Sequence, residues 1–414
     1  MRELKGSGVI WIGDIPKMWD VAKIKHHFNV VSGSTPDSNN PTCWDGEIPW
    51  ITPADYKTED KYVCSGRRNI TQKGYDSCGT MQIPKNSIVF SKRAPIGSVA
   101  ITANSLCTNQ GCLSCISKDS GYSLYYYYVM SCFAEQFELY GSGTTFKEIS
   151  AKDFSNFKLP SPSYLEQQRI AKFLDRKCAI IDNVLKKTKA SIEEYKKLKQ
   201  SVITKTIYHN DCFLSKLKYF GSFVNGYAFK SDSFQETGTR VIKIANIQNG
   251  TLSWEDESFV DDSLYEQLTS FQVHKGDVVF ALTRPIISDG IKTAIVNTEE
   301  RILLNQRNAM FIGSKSLNNR YLYYAMQSHP FIEEFKLHID LTGLQPNIST
   351  NAIANIAIPY RTIYEQDLVV SYLDRKCEEI DSLIVNKERF IIELEAYRKG
   401  LIYEYVTGKK EVTV

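Results

Sequence analysis

The stretch LDRKC at residues 174–178 occurs again at residues 373–377, an offset of 199 residues (174 to 373) in a chain of 414. The same offset relates Pro160 to Pro359, so the correspondence extends beyond five letters. An internal repeat of about half the chain predicts one structural plan used twice, and it has to be settled before single elements are assigned.

Each copy of LDRKC lies in a segment with the pattern of a long helix. Apolar or tolerated residues recur at steps of three and four through residues 174–202 and 373–401, and no proline interrupts either run. This spacing is typical of a helix whose seam packs against other helices. Ser163 and Thr362 each stand three residues before a glutamate, which is the capping-box signature of a helix start. We therefore predict two helices of about 40 residues, or about 60 Å each.

The seam predicts where each helix meets its partner helix. Residues 163–207 hold 11 basic and 5 acidic residues, residues 362–405 hold 6 and 10, and opposite charges favour helices lying side by side. A solvated charged face would give the same charge runs, so the apolar seam carries the prediction. The residues assigned to the partner-helix interface are Leu174, Ile181, Leu185, Ile192, Tyr195, Leu373, Ile380, Ile384, Ile391 and Leu394.

Length and composition limit the class of protein. A chain of 414 residues exceeds one ordinary core, so two or more domains are expected. We find no run of about 18 apolar residues and no secretory leader pattern, which predicts no membrane association. Ten cysteines without such a leader indicate reduced thiols and a cytoplasmic protein. The net charge of +3 is compatible with nucleic acid as a partner without requiring it.

Three cysteines, Cys107, Cys112 and Cys115, have a spacing that resembles a plant-type iron–sulfur ligand set. The repeat aligns residue 109 with residue 305, and it puts apolar residues at two of the three corresponding positions. Cysteine acting as a small apolar residue on a strand explains that substitution. We therefore predict no metal centre.

The segments outside the helices have the pattern of mixed, mostly β domains. Short apolar strands, separated by turn residues, are predicted at residues 48–51, 87–91, 98–102 and 112–116. The second half repeats this plan: its apolar residues are kept and its loop residues are changed. This pattern suits one scaffold that carries two different recognition surfaces. The predicted boundaries are 1–158 for the first domain, 159–208 for the first helical spacer, 209–357 for the second domain, and 358–414 for the second helical spacer with its tail.

No catalytic constellation is recognisable. The chain lacks an Asn-Pro-Pro-aromatic methyltransferase signature and a Walker loop, and its six histidines are scattered. What remains is polar loop chemistry suited to DNA. Arg and Lys read guanine, Asn and Gln read adenine, and Thr contacts the thymine methyl group, although any of them can hold a phosphate or be ordinary surface. The predicted DNA-binding residues are Arg67, Arg68, Ser91, Lys92, Arg93, Thr144, Thr145 and Lys147 in the first domain, and Lys243, Gln248, Asn249, Thr283, Arg284, Arg307, Gln345 and Asn347 in the second.

The segment SGVIWIGDIPKMWDVAKIK at residues 7–25 resembles the start of specificity subunits of type I restriction–modification systems, and Val406-Thr-Gly-Lys at residues 406–409 resembles their end. The resemblance covers the whole chain. It implies an α+β fold in which two similar, mixed, mostly β target-recognition domains are separated by two long antiparallel, coiled-coil-like helices, with an internal pseudo-twofold repeat.

The same resemblance implies a non-catalytic subunit that binds an asymmetric, bipartite double-stranded DNA target. Two methyltransferase subunits, which bind S-adenosylmethionine and methylate adenine, would dock on the helices, and restriction subunits with motor and nuclease activity would join them. No cofactor is expected in this chain. Two alternatives stay open. A free-standing fused restriction–methylation enzyme lacks its expected motifs, and a coiled-coil scaffold without DNA specificity does not explain two divergent domains.

Overall fold

The computed structural model describes residues 2–57, 60–93, 95–143, 147–209, 212–287 and 290–412. The chain divides into two compact units. Unit 1 is Met1–Lys187 with Phe390–Val414, and unit 2 is Thr188–Arg389. Each long helix therefore contributes a segment to both units, whereas the predicted boundaries divide the chain at the helix ends.

The two long helices run from Tyr164 to Ile207 and from Ile363 to Val406, with 44 residues each. Both lie inside the predicted spacers. The second begins with a complete capping box, because the Thr362 N–H donates to Glu365 Oε2 at 2.8 Å and the Glu365 N–H donates to Thr362 Oγ1 at 3.4 Å.

The start of the first long helix has half of the expected capping box. The Glu166 N–H donates to Ser163 Oγ at 3.4 Å. The Glu166 carboxylate accepts a hydrogen bond from Trp19 Nε1 at 2.9 Å and pairs with Arg2. The prediction that this carboxylate returns to Ser163 was therefore wrong, since partners about 150 residues earlier in the chain hold it.

The domain in unit 1 is built on a five-stranded sheet and a three-stranded sheet. The first, in spatial order, consists of Phe28–Ser32, Cys112–Ser117, Ile88–Ser91, Val99–Thr102 and Tyr62–Val63. The second consists of Cys107–Thr108, Trp44–Ile51 and Arg68–Ile70. Two-stranded sheets pair Leu4–Gly6 with Asp14–Pro16 and Asp20–Lys23 with Lys158–Ser161. The helices beside them are Ile24–His27, Gln72–Asp76, Ser123–Cys132, Ala134–Leu139 and Ala151–Asn156.

The domain in unit 2 repeats this plan. Its five-stranded sheet consists of Gly221–Asn225, Asn308–Gly313, Val278–Ala281, Thr293–Ile295 and Asn249–Gly250. Its four-stranded sheet consists of Phe259–Val260, Thr239–Ile242, Ile302–Leu304 and Gln272–Val273. Two-stranded sheets pair Leu214–Lys216 with Ala357–Pro359 and Ile286–Ile287 with Gly290–Ile291. The helices are Ser263–Gln267, Asn319–Gln327, His329–Leu337 and Thr350–Asn355. The matching strand order confirms the repeat.

In unit 1 the two long helices run antiparallel. Phe173 packs against Tyr405 with ring centroids 4.4 Å apart, and Asp182 pairs with Arg398 at 3.0 Å. One apolar core joins the seam of the first helix, the domain and the end of the second helix, to which Leu401, Ile402 and Val406 contribute. The Tyr125 hydroxyl donates to the Val406 carbonyl at 2.9 Å. The last turns of the second helix therefore belong to the core of the first domain.

The helix segments of unit 2 repeat the arrangement. Lys199 pairs with Asp381 at 2.7 Å, and the Lys387 ammonium lies 5.5 Å from the Tyr195 ring centroid. Asp381 and Lys199 are the counterparts of Asp182 and Arg398 at the repeat offset. Of the predicted seam residues, Leu174, Ile181, Leu185, Ile192, Leu373 and Ile380 are buried, and Tyr195, Ile384, Ile391 and Leu394 are half-buried.

A glutamine that repeats at the offset fixes each long helix to its own domain. In unit 1 the Tyr122 N–H donates to Gln167 Oε1 at 2.9 Å, and the Gln167 amide donates to the Ser120 carbonyl at 3.0 Å. In unit 2 the Asn318 N–H donates to Gln366 Oε1 at 2.7 Å. Both glutamines are buried, and such satisfied polar groups define a single docking geometry.

The three cysteines of the iron–sulfur alternative lie on strands with buried side chains, as the repeat predicts. Burial raises the pKa of Cys107 to about 11 and that of Cys112 to about 12, which disfavours the thiolate that a metal would need. Within the described part of the chain, no group of His, Cys, Asp and Glu is arranged to hold a metal ion. Among the same residues, no helix has the length and apolar character to cross a membrane.

Candidate nucleic-acid interface

In unit 2, five of the predicted DNA-binding residues come together: four on two neighbouring loops, and Arg307 on a third. One loop follows the strand Val278–Ala281 and carries Thr283 and Arg284, and the other is a hairpin that spans residues 340–347. Residues from both loops line a depression of about 430 Å³ together with Arg307 from a third, and the lining residues are Thr283, Arg307, Leu344, Gln345 and Asn347. We call this surface the unit 2 depression.

Hydrogen bonds tie the loops of the unit 2 depression to one another. Thr283 Oγ1 donates to Asn347 Oδ1 at 2.6 Å, and Arg307 Nη1 donates to Gln345 Oε1 at 3.4 Å. The Arg284 N–H donates to the Pro346 carbonyl at 2.8 Å. Arg307 and Asn347 are exposed, so the polar groups face solvent while their positions are fixed.

Arg284 has a left-handed backbone, with φ of 47°. That conformation costs an L-residue about 1–2 kcal/mol and is normally left to glycine. The adjoining Pro285 also disfavours helical backbone angles at the residue before it. An exposed arginine held in such a conformation marks a position where the surrounding structure overrides local preference, and such positions cluster at functional sites.

Unit 1 has equivalent loops with different chemistry. Arg93 and Ser142 both bridge to Glu148, just as Thr283 and Asp340 bridge to Asn347. Lys92 Nζ lies 2.8 Å from Glu148 Oε1, and Arg93 Nε donates to Glu148 Oε2 at 2.8 Å. Lys92 and then Arg93 hold the pKa of Glu148 below its ordinary value. Two of the predicted DNA-binding cations therefore share one carboxylate, which offsets one of their two positive charges.

The other predicted residues near this loop have different environments. Ser91 is fully buried, and its hydroxyl donates to the Arg93 carbonyl at 2.8 Å, so it shapes the turn. Lys147 is exposed. Thr144 and Thr145 lie outside the described residues.

Arg68 begins the strand Arg68–Ile70 of the three-stranded sheet, and Arg67 lies in the turn before it, whereas Lys92 follows the strand Ile88–Ser91 of the five-stranded sheet. The Arg68 guanidinium donates to both Asp45 oxygens, at 2.9 and 3.1 Å, and lies 4.6 Å from the Trp44 ring centroid. Arg67 is exposed, and its N–H donates to Asp55.

The remaining predicted residues of unit 2 do not line the depression. Lys243 lies 4.4 Å from the Phe234 ring centroid, and the Gln248 amide donates to the Ala245 carbonyl at 2.8 Å. Asn249 lines a different cleft of about 1630 Å³, which lies between the domain and the helix segments of unit 2.

Two residues were absent from the sequence prediction, Glu148 of the unit 1 loops and Leu344 of the unit 2 depression. The repeat offset of 199 residues relates position 148 to position 347 and is a signal that points to Glu148. Residue type alone does not point to Leu344, since the predicted residues are all polar. The loops of unit 2 offer base-edge donors and acceptors, and the equivalent loops of unit 1 offer two cations that share one carboxylate. These are the groups that bind phosphates and base edges.

A family model described as the type I restriction modification DNA specificity domain matches residues 16–194. It is a recognition domain and not a catalytic one. The type I restriction enzyme MjaIX specificity subunit of Methanocaldococcus jannaschii is 42% identical over 175 residues, which cover 42% of this chain and 40% of that relative. The MjaVIII specificity subunit of the same organism is 29% identical over 304 residues, which cover 70% of each chain. The chain thus aligns with less than half of the MjaIX subunit's length.

Two solved structures have the same fold along nearly the whole chain. A chain from a structural study of complex assembly and conformational transition of the type I R-M system matches with a TM-score of 0.77 at 14% identity, covering 96% of this chain and 99% of that one. The HsdS subunit of Thermoanaerobacter tengcongensis matches with a TM-score of 0.55 at 15% identity, covering 96% and 98%. At these identities the likeness establishes the architecture.

Proposed function

Because this chain belongs to the type I restriction–modification specificity subunits, we propose that it is the DNA-recognition subunit of such a complex and reads an asymmetric, bipartite target. In this proposal each unit reads one half of the target, and the chain performs no chemistry itself. The catalytic steps belong to the partner subunits.

One observation carries the proposal: equivalent loops in the two units are fixed by the same bridges and present different side chains. Glu148 in unit 1 and Asn347 in unit 2 hold the same place in the framework. A carboxylate with two cations and an amide with a threonine hydroxyl offer different hydrogen-bonding patterns to base edges. Two different half-sites are the expected consequence of one framework with two sets of loop residues.

The long helices are the proposed docking elements for the partners. Their seam residues pack inside the chain, so docking would use the outward faces. Tyr364, Leu368 and Tyr372 are spaced by four residues on the second helix and are 70, 54 and 42% exposed. Such spacing puts them on one helix face, where an apolar stripe suits another protein.

We propose two methyltransferase subunits because the helix–domain framework occurs twice. Restriction subunits would complete the complex, and S-adenosylmethionine would be bound by the methyltransferases. Since the substrate is double-stranded DNA, we expect the assembly to act in the cytoplasm.

Exchange of one domain tests the proposal. Residues 26–158 would be replaced by the matching domain of a relative, and methylated adenines would be mapped in a host that expresses the chain with its methyltransferase partner. We expect one half of the methylated motif to change and the other to stay. The reciprocal exchange of residues 209–357 is the control and should change the opposite half. An unchanged motif would contradict the proposal and would support a scaffold without DNA specificity. Methyl transfer by the purified chain alone would also contradict it and would support a fused enzyme.

A further inference from the structure

We propose that Leu344 is a base-reading residue, which places its side chain against the 5-methyl group of a thymine in the major groove. The inference rests on the proposed function and assigns one contact within the unit 2 depression. Thr283, the other lining residue with a methyl group, is buried, whereas Leu344 is exposed.

The exposure of Leu344 is the first observation. The side chain is fully exposed and lines the depression beside Thr283 and Arg307. A single exposed leucine on a protein surface needs no explanation. This one is different because the four other side chains that line the depression are hydrogen-bonding groups. A leucine that projects from such a surface is placed to contact an apolar group of the same ligand.

The hairpin that carries Leu344 is fixed at its base. Asp340 and Asn347 exchange backbone hydrogen bonds at 2.7 and 3.0 Å, and Asp340 Oδ1 accepts from the Thr342 N–H at 2.8 Å and from its hydroxyl at 2.6 Å. Pro346 accepts the Arg284 N–H at 2.8 Å. The tip therefore loses little conformational freedom when it binds, and a preorganised contact can discriminate between ligands.

The chemistry of the groove selects the ligand group. Among the base edges that face the major groove, the thymine C5 methyl is the apolar feature, and aliphatic side chains are known to contact it. Arg307, Gln345 and Asn347 surround Leu344 with groups that bind neighbouring base edges or phosphates. A leucine can also insert between base steps from the minor groove as an apolar wedge. The amide and guanidinium groups around Leu344 favour the major groove, where each base pair presents a distinct pattern of donors and acceptors.

The experiment removes the methyl group from the DNA and the side chain from the protein, separately and together. The chain would be purified with its methyltransferase partner, the recognised motif mapped by methylation, and each thymine of the unit 2 half-site replaced in turn by deoxyuridine. At one position the wild-type complex should lose about fourfold in affinity, the change expected for one methyl-sized apolar contact. Leu344→Ala should lose a similar factor on the thymine duplex and should show no further loss with deoxyuridine.

Leu341→Ala is the matched control. Leu341 lies on the same hairpin and is 74% exposed, but it does not line the depression. This variant should keep the wild-type response to deoxyuridine. Equal melting temperatures of both variants and the wild type would exclude a folding defect.

Three outcomes would overturn the inference alone: a wild-type complex indifferent to deoxyuridine at every thymine, a Leu344→Ala complex that keeps the deoxyuridine response, and a half-site with no thymine on either strand. A Leu344→Ala complex that loses affinity equally for all duplexes would indicate a base-step wedge and would also overturn it. A wild-type complex without any sequence preference would overturn the proposed function, and this inference with it.

Discussion

The Tyr324 hydroxyl donates a hydrogen bond to Asp374 Oδ1 at 2.7 Å, and Tyr128 donates to Asp175 Oδ1 at 3.0 Å. The two aspartates hold the same position in the two copies of the LDRKC motif. Each carboxylate also pairs with a cation of its own domain: Asp374 with Arg320 at 2.7 Å, and Asp175 with Lys61. The aspartate of the repeated motif therefore holds the long helix against the domain, which gives the motif a structural reason.

Tyr324→Phe should destabilise unit 2. The substitution removes one hydrogen bond to a charged, partly exposed carboxylate while Arg320 remains, so we expect a loss of about 1 kcal/mol. Thermal unfolding followed by circular dichroism measures it. Tyr364→Phe is the control, because that ring is 70% exposed, and it should leave the transition unchanged. Equal effects of both variants would contradict the role given to Asp374.

Two leucines of the long helices should separate folding from docking. Leu185 is buried in the core of unit 1, so Leu185→Asp puts an unpaired charge there at a cost of several kcal/mol and should lower the melting temperature sharply. Leu368 is 54% exposed, and Leu368→Asp should leave the melting temperature nearly unchanged but abolish co-elution with the methyltransferase in gel filtration. Normal co-elution of the Leu368 variant would rule out the proposed docking stripe.

Glu148→Gln should strengthen non-specific DNA binding by unit 1. The pKa of Glu148 is lowered, so its charge is present at neutral pH and is lost only as the pH falls through that lowered pKa. The substitution releases Lys92 and Arg93 at neutral pH, and each new phosphate contact steepens the slope of log affinity against log salt by about 0.9. Titrations at several salt concentrations measure the slope. Glu411→Gln removes one partner of Arg2, at 2.9 Å, while Glu166 keeps Arg2 paired, so this control should leave the slope unchanged.

Arg284→Gly should separate stability from binding. Glycine relieves the left-handed backbone, so the free energy of unfolding should stay the same or rise by up to about 1 kcal/mol. The lost guanidinium should weaken DNA binding and reduce the salt slope by about 1 if it contacts a phosphate. Arg284→Ala removes the same charge but keeps the strained backbone, so it should bind as weakly and unfold more easily. Undiminished binding by both variants would remove Arg284 from the interface.

The elements with regular periodicity were predictable from the sequence. Both long helices and three strands of the five-stranded sheet of unit 1, Ile88–Ser91, Val99–Thr102 and Cys112–Ser117, follow from local patterns and the repeat. Contacts that depend on distant partners were not predictable. The Glu166 carboxylate accepts from Trp19 and pairs with Arg2, which only the folded chain brings to the helix start.

The candidate interface was predictable in part, for the same reason. Thr283, Arg307, Gln345 and Asn347 were chosen by residue type and do line one surface. Ser91 was chosen in the same way, yet it ends a strand whose residues are buried on both faces. Residue type predicts what a side chain can do, but burial and neighbours decide whether it is available, and both depend on tertiary packing.

The helix end that completes the core of unit 1 also sets an order of folding during synthesis. Leu401, Ile402 and Val406 belong to that core but are made after all of residues 188–389. Those 202 residues take about 10 to 40 s at translation rates of 5–20 residues per second. Unit 1 therefore waits for its last helix segment throughout the synthesis of unit 2, which is one continuous segment. A ribosome that stops before residue 390 would leave the first-made domain without part of its core.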